Sequence, residues 1–274
     1  MAALRKFTTN PLSVAGLILL LAAVCSAILA PWLATHEPME LAIPDRLLGP
    51  SAEHFFGTDV YGRDIFSRVL YGSRISLRVA IIASALALSC GTVIGVIAGL
   101  AGGAVDTLLM RITDVLLAFP GLLLAIGISA ALGTGETSIT LALWIVYTPR
   151  FARLARAAVL QIKSLDFVHA ARSLGAHRLR VAWRHIGPSI VSPLVIQASV
   201  YFSEMILAEA ALSFLGLGTP PPEPSWGNIL SEGRDYMRLA PWISIFPGLF
   251  ILLTVLGVNL LGDGLRDTLD PRKG

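Results

Sequence analysis

The sequence predicts an all-α integral membrane protein with about six transmembrane helices, and three observations predict it. The 274 residues are 55% hydrophobic and only 14% charged, where a soluble domain carries roughly 25% charged residues. Uncharged intervals long enough to cross a bilayer recur along the chain. The basic residues gather beside these apolar segments and form no face of their own. A net charge of +3 therefore reads as membrane topology and not as a nucleic-acid surface. The mean hydropathy of +0.73 agrees.

A spanning helix needs ~20 mostly apolar residues, so the intervals between charges measure the spans. Lys6 to Glu37 encloses the first, Val14–Leu33. It is longer than the ~7–15 residue core of a secretion signal and is expected to be retained. Arg78 to Asp106 encloses the second, Val79–Ala101, and Asp114 to Glu136 the third, Val115–Leu132. The fourth begins near Ser138 and carries Arg150, Arg153 and Arg156 in its last turns before Ala158. The fifth, from about Ser189 to Leu215, contains Glu204 and Glu209, and Arg238 to Asp263 encloses the sixth, Trp242–Leu261.

Orientation follows from the positive-inside rule. From Arg150 to Pro188 there are eight Lys or Arg and one acid, Asp166, so this segment is expected in the cytoplasm. Six spans then place both termini there as well, beside Arg5 and Lys6 at one end and Arg272 and Lys273 at the other. The expected organisation is a cytoplasmic N-terminus and first helix over 1–35 and an extracytoplasmic loop over 36–77. A core of helices two to six follows over 78–265, including a cytoplasmic loop at 159–188, and a cytoplasmic tail over 266–274. The Thr219–Pro224 run reads as a stiff extended turn on the outside.

Several chemistries have no residues to support them. The three lysines, Lys6, Lys163 and Lys273, all lack the G-x-x-x-x-G-K-[ST] context of a phosphate loop, so any ATP is expected on another chain. His169, His177 and His185 recur every eight residues, ~12 Å apart on a continuous helix and too far apart to share an ion. No metal site, cofactor or catalytic residue is expected. Cys25 and Cys90 both lie in apolar runs and read as small buried hydrophobes. Glu204 and Glu209 are the exceptions within the spans, and charges there are expensive and usually functional. Five residues separate them, about 140° around a helix, so they face different partners. Both are candidate pathway or intramembrane polar residues. Glu204 is placed nearer a cavity by depth, while structural and pathway roles both stay open for Glu209.

The basic loop reads as two short amphipathic helices. Asp166 is a candidate N-cap, and Phe167, Ala170, Ala171 and Leu174 recur along one face. Gly175 can end that helix in a left-handed turn, and a second short helix then runs to Gly187-Pro188.

Ala170-Ala171, then Gly175-Ala176, then Pro188 resembles the EAA loop of ATP-driven (ABC) importer permeases, with His169 in place of the usual Glu and Gly187 in place of a Leu. The stretch from His54 to Gly72 is similar to the H-x-x-G-T-D-x-x-G-R-D pattern of dipeptide, oligopeptide and nickel permeases. So are Gly103–Asp106, Leu117–Pro120, Glu209–Gly218, Pro224–Gly227 and Asn259–Asp267. The chain resembles the second, C-type permease of such a system. That resemblance implies the type I importer core, and a 159–188 loop whose residues Phe167, Ala170, Ala171, Leu174, Gly175, Ala176 and Pro188 engage the ATPase. It also implies a homologous second permease, two ATP-binding subunits and an extracytoplasmic binding protein as partners, in a bacterial-type inner membrane. Short peptides are the favoured substrate; nickel or another small solute is the alternative within the family, and a stand-alone secondary transporter the alternative outside it.

Overall fold

The computed structural model describes residues 10–168, 184 and 186–269. In chain order these form α1 (Pro11–Ile28), a single turn α2 (Ala30–Leu33), α3 (Ile65–Ala101), α4 (Gly103–Leu117), α5 (Gly121–Leu132), α6 (Glu136–Lys163), α7 (Gly187–Phe214), α8 (Trp226–Gly233) and α9 (Trp242–Leu269). Helices α1, α3, α7 and α9 are each long and apolar enough to cross a bilayer, and the bent pair α4–α5 supplies a fifth crossing. The 28-residue α6 has the length of a sixth and is interrupted by Arg150, Arg153 and Arg156.

The helices depart from the expected boundaries at four places. The expected 36–77 loop ends thirteen residues early, because α3 begins at Ile65 and runs for 37 residues. Its start is fixed by Asp64, whose side chain accepts the Ser67 N–H at 2.7 Å, a standard N-cap. Arg68, Arg74 and Arg78 lie on this helical extension. The third span is not one straight helix: α4 and α5 meet at 88° across Ala118–Pro120. Pro120 has no N–H to donate and its ring crowds the preceding turn, so the helix breaks there. Gly187 and Pro188 do not close the loop helix; they open α7, with Pro188 in the first turn where its missing N–H costs nothing. The helix of α9 also continues through Leu269, into the expected tail. Thr219–Pro224 does turn, and Asn228 Nδ2 holds it by donating to Glu223 O at 2.6 Å.

Two cores hold the helices together. One joins α3, α5, α6 and α7 around Ala83, Leu143, Phe151 and Met205. The other joins α1, α3, α7, α8 and α9 around Ile65, Ile206, Trp226 and Ile243. Within the first, α3 lies against α6 along Gly91, Gly95 and Gly99. A Cβ at Gly91 would stand 2.5 Å from Phe151 Cβ, one at Gly99 2.7 Å from Val159 Cγ1, and one at Gly95 would meet the Ala152 carbonyl. Small residues every fourth position let backbones approach closely, which is how helices associate where lipid removes the hydrophobic drive.

Candidate functional site

Because α3 runs nearly the length of the molecule, its two ends define two polar regions. Around its start, Arg63 and Arg68 bind Asp59 Oδ2, each at 2.6 Å, and both also reach Glu232 of α8, at 2.6 and 3.0 Å. Arg68 is 0% exposed. Trp242 Nε1 donates to Thr58 O at 3.0 Å and Trp226 Nε1 to Val69 O at 3.2 Å, so residues 54–69 and 225–242 form one block. His36, His54 and Asp64 converge in the same block, close enough to share a metal ion. Asp64 Oδ1 pairs with His54 Nδ1 at 3.0 Å while Oδ2 caps α3; His36 Nδ1 lies 3.8 Å from Asp64 and pairs instead with the Thr35 hydroxyl at 3.0 Å. His169, His177 and His185, the histidines singled out by spacing, lie outside the described residues.

At the other end of α3, Lys163 Nζ donates to the carbonyls of Gly99 and Leu100 at 3.1 and 3.2 Å, as a cation does at a helix C-terminus. Arg156 grips Asp106 bidentately at 2.5 and 2.7 Å, and Arg153 reaches Asp114 at 2.6 Å. Those acids ended the uncharged interval in the sequence, and here they lie on α4 with partners on α6.

Between the ends, α5, α6 and α7 enclose a cavity of about 340 Å³ lined by Leu122, Val146, Leu207, Tyr147, Arg150 and Glu204, among others. Near the middle of α6, Arg150 Nη1 donates to Glu204 Oε2, near the middle of α7, at 2.5 Å. The guanidinium lies over the rings of Tyr147, at 4.7 Å, and Tyr201, at 5.7 Å. Tyr201 is wedged edge-on against Phe151 at 4.9 Å. The pair is half-exposed, at 31% for Arg150 and 43% for Glu204. Glu204 is thus on the cavity wall. Glu209 is not: it is buried at 1% exposure and accepts a hydrogen bond from Ser213 Oγ at 2.8 Å.

The loop residues are only partly described. Phe167 is exposed on a short helical stretch after α6, in which Asp166 is already helical and not its cap, and Pro188 is exposed at the head of α7. Ala170, Ala171, Leu174, Gly175 and Ala176 lie outside the described residues. What sequence reasoning missed is Arg150 as a site residue, since it read as one of the basic anchors of the fourth span. Only its position inside a run of apolar residues after Trp144 could have marked it.

Residues 91–274 match the model of binding-protein-dependent transport system inner membrane components, and residues 2–50 that of the N-terminal transmembrane domain of oligopeptide transport permease C. The chain is 49% identical over 257 residues to a putative peptide transport system permease protein of Brucella suis, covering 94% of this chain and 86% of that one. It is 45% identical to the dipeptide transport system permease protein of Alkalihalophilus pseudofirmus, over 98% of this chain and 89% of that one. The glutathione transport system permease protein of Pectobacterium atrosepticum is also 45% identical, over the same shares. Among solved structures, an inward-facing form of the MetNI methionine ABC transporter superposes with a TM-score of 0.62 at 16% identity. It covers 74% of this chain and 96% of that one, a likeness of fold.

Proposed function

Because the chain belongs to the family of binding-protein-dependent transport system inner membrane components, and is a C-type permease within it, we propose that it lines the path by which an ATP-driven importer carries short peptides across the inner membrane. As a multi-pass permease subunit of an ABC importer it performs no chemistry of its own. ATP is bound and hydrolysed by two partner subunits, a homologous second permease completes the path, and an extracytoplasmic binding protein delivers the substrate. The central cavity carries this reading. It lies between the start of α5 and the middle portions of α6 and α7, and it offers both signs of charge within an apolar wall. A peptide with free termini needs that combination. The relatives with peptide, dipeptide and glutathione substrates support the same class.

Coupling to the ATPases is assigned to the 159–188 loop, with Phe167, Ala170, Ala171, Leu174, Gly175, Ala176 and Pro188 as its contact face. Both termini and this loop lie in the cytoplasm, and the 54–69 and 225–242 block faces the binding protein. The test is reconstitution of the permease pair with its ATPases and binding protein in liposomes. ATP-dependent uptake of a dipeptide is expected from the complex and none from this chain alone. Uptake of nickel but no peptide would replace the substrate assignment.

A further inference from the structure

We propose that Arg150 and Glu204 form an exchangeable binding station for the two charged termini of a zwitterionic peptide; the proposal rests on the peptide reading above. The pair is held less tightly than those of Arg68 and Arg156, and it differs from the single contacts Arg78–Glu136 and Arg153–Asp114 in standing on a cavity wall. Arg68 is clamped by two carboxylates with no exposure, and Arg156 holds Asp106 through two nitrogens. Arg150 meets Glu204 through one nitrogen and one oxygen, half-exposed on the wall of an open cavity of about 340 Å³, within the size range of small-ligand sites. A guanidinium has five N–H donors in a fork that matches a carboxylate bidentately, so a peptide C-terminus offers Arg150 a better geometry than the single contact it has.

Electrostatics favours exchange over simple addition. A lone charge at mid-membrane depth is costly, and a zwitterion brings two. If the ammonium takes Glu204 while the carboxylate takes Arg150, four charges form two ion pairs and none is orphaned before or after. The termini of an extended dipeptide lie roughly 7 Å apart at 3.3–3.6 Å per residue, so the two groups must separate until each can reach one terminus. The faces of Tyr147 and Tyr201, already against the guanidinium, hold Arg150 in place while its partner changes. The apolar wall of Leu122, Val146 and Leu207 accepts side chains without selecting among them. The station therefore reads the free ends and leaves the sequence unread. A divalent cation is disfavoured, because Arg150 stands where it would bind.

The experiment uses the complete reconstituted transporter with alanyl-alanine and two singly charged analogues, propionyl-alanine, which lacks the amino group, and alanyl-alaninamide, which lacks the carboxylate. Each is supplied at saturation of the binding protein. Glu204→Gln is expected to lower alanyl-alanine uptake about tenfold and propionyl-alanine uptake less than about twofold; Arg150→Gln should give the mirror image with alanyl-alaninamide. A merely structural ion pair would lower the peptide and its analogue by the same factor, and that result overturns the station. The double variant Arg150→Gln/Glu204→Gln leaves no orphaned charge and covers the case in which a single variant fails to assemble. Its uptake ratio of alanyl-alanine to propionyl-alanine should fall about tenfold from the wild type, and an unchanged ratio also overturns the proposal. A wild-type complex that imports another solute and no peptide refutes the peptide reading itself, a different result from an unchanged ratio.

Discussion

At the head of α3, Arg63 and Arg68 are held by Asp59 and Glu232, and both arginines are buried. At its tail, Arg156 holds Asp106 in a part-buried pair, while Arg153 reaches Asp114 across an open surface and is 58% exposed. The same chemistry, arginine against carboxylate, is used in opposite ways. A buried pair cannot be broken without stranding a charge, so the head is a fixed block. An exposed pair contributes little and can be traded, so the Arg153–Asp114 contact is free to rearrange. The Arg150–Glu204 pair, between them, is half-exposed and intermediate in both position and character.

The sharpest way to break this contrast is Arg68→Ala. Removing a fully buried cation leaves Arg63 alone between two carboxylates, Asp59 and Glu232, with one negative charge uncompensated, which costs about 3–5 kcal/mol. The expected outcome is loss of folded permease, read as recovery after detergent extraction and as thermal stability. A normal yield would show that the head is not a fixed block. Next comes Gly95→Leu in the α3–α6 seam, where the added side chain would meet the Ala152 carbonyl and Ala155 Cβ. Overpacking of this kind typically costs 1–3 kcal/mol, and the thermal midpoint of the complex should fall accordingly.

Gly175→Val tests the tail without touching the bundle. If Gly175 adopts positive φ to end the first loop helix, a β-branched residue there is strained. Transport and ATPase co-purification should fall by about tenfold, the equivalent of ~1.4 kcal/mol, at normal membrane insertion. Ser173→Ala should be near normal. Equal, near-normal values for both would remove the loop from the coupling role. The smallest effect is expected for Arg153→Ala, an exposed pair worth about 0–1 kcal/mol that salt should mask. A loss of stability as large as that of Arg68→Ala would erase the distinction between the two ends.

Topology can be tested alongside. Ser225 is buried as the N-cap of α8, with its hydroxyl accepting the Asn228 N–H, so a cysteine there would report packing and not sidedness. Asp235→Cys, on an exposed position of the same block, is the suitable probe. It should label from outside intact cells, and Ser173→Cys should not; the reverse pattern would invert the orientation.

Helix existence and number were legible in the sequence because lipid demands length and apolarity, and both are local properties. Glu204 was legible for a related reason, as a charge in an apolar run. Its partner was not: Arg150 is 54 residues away, and pairing at that distance leaves no periodic trace. Glu232 is likewise 169 residues from Arg63, so the 54–72 motif showed a resemblance without showing what its arginines hold. Boundaries failed wherever charges were paired. Asp106 and Asp114 stopped the ruler although Arg156 and Arg153 make them tolerable within α4. Pro120 carried the information for the break after α4, and a hydropathy count does not register it.

The length of α3 has a mechanical consequence. At 1.5 Å per residue its 37 residues measure roughly 55 Å, almost twice the ~30 Å hydrocarbon thickness. A continuous rod of that length is a lever. Pinned at its head by buried arginines, it sweeps its far end through about 5 Å for every 5° of tilt, given that 1.5 Å rise. Lys163 holds that far end by the carbonyls of Gly99 and Leu100, so any such sweep carries the end of α6 with it.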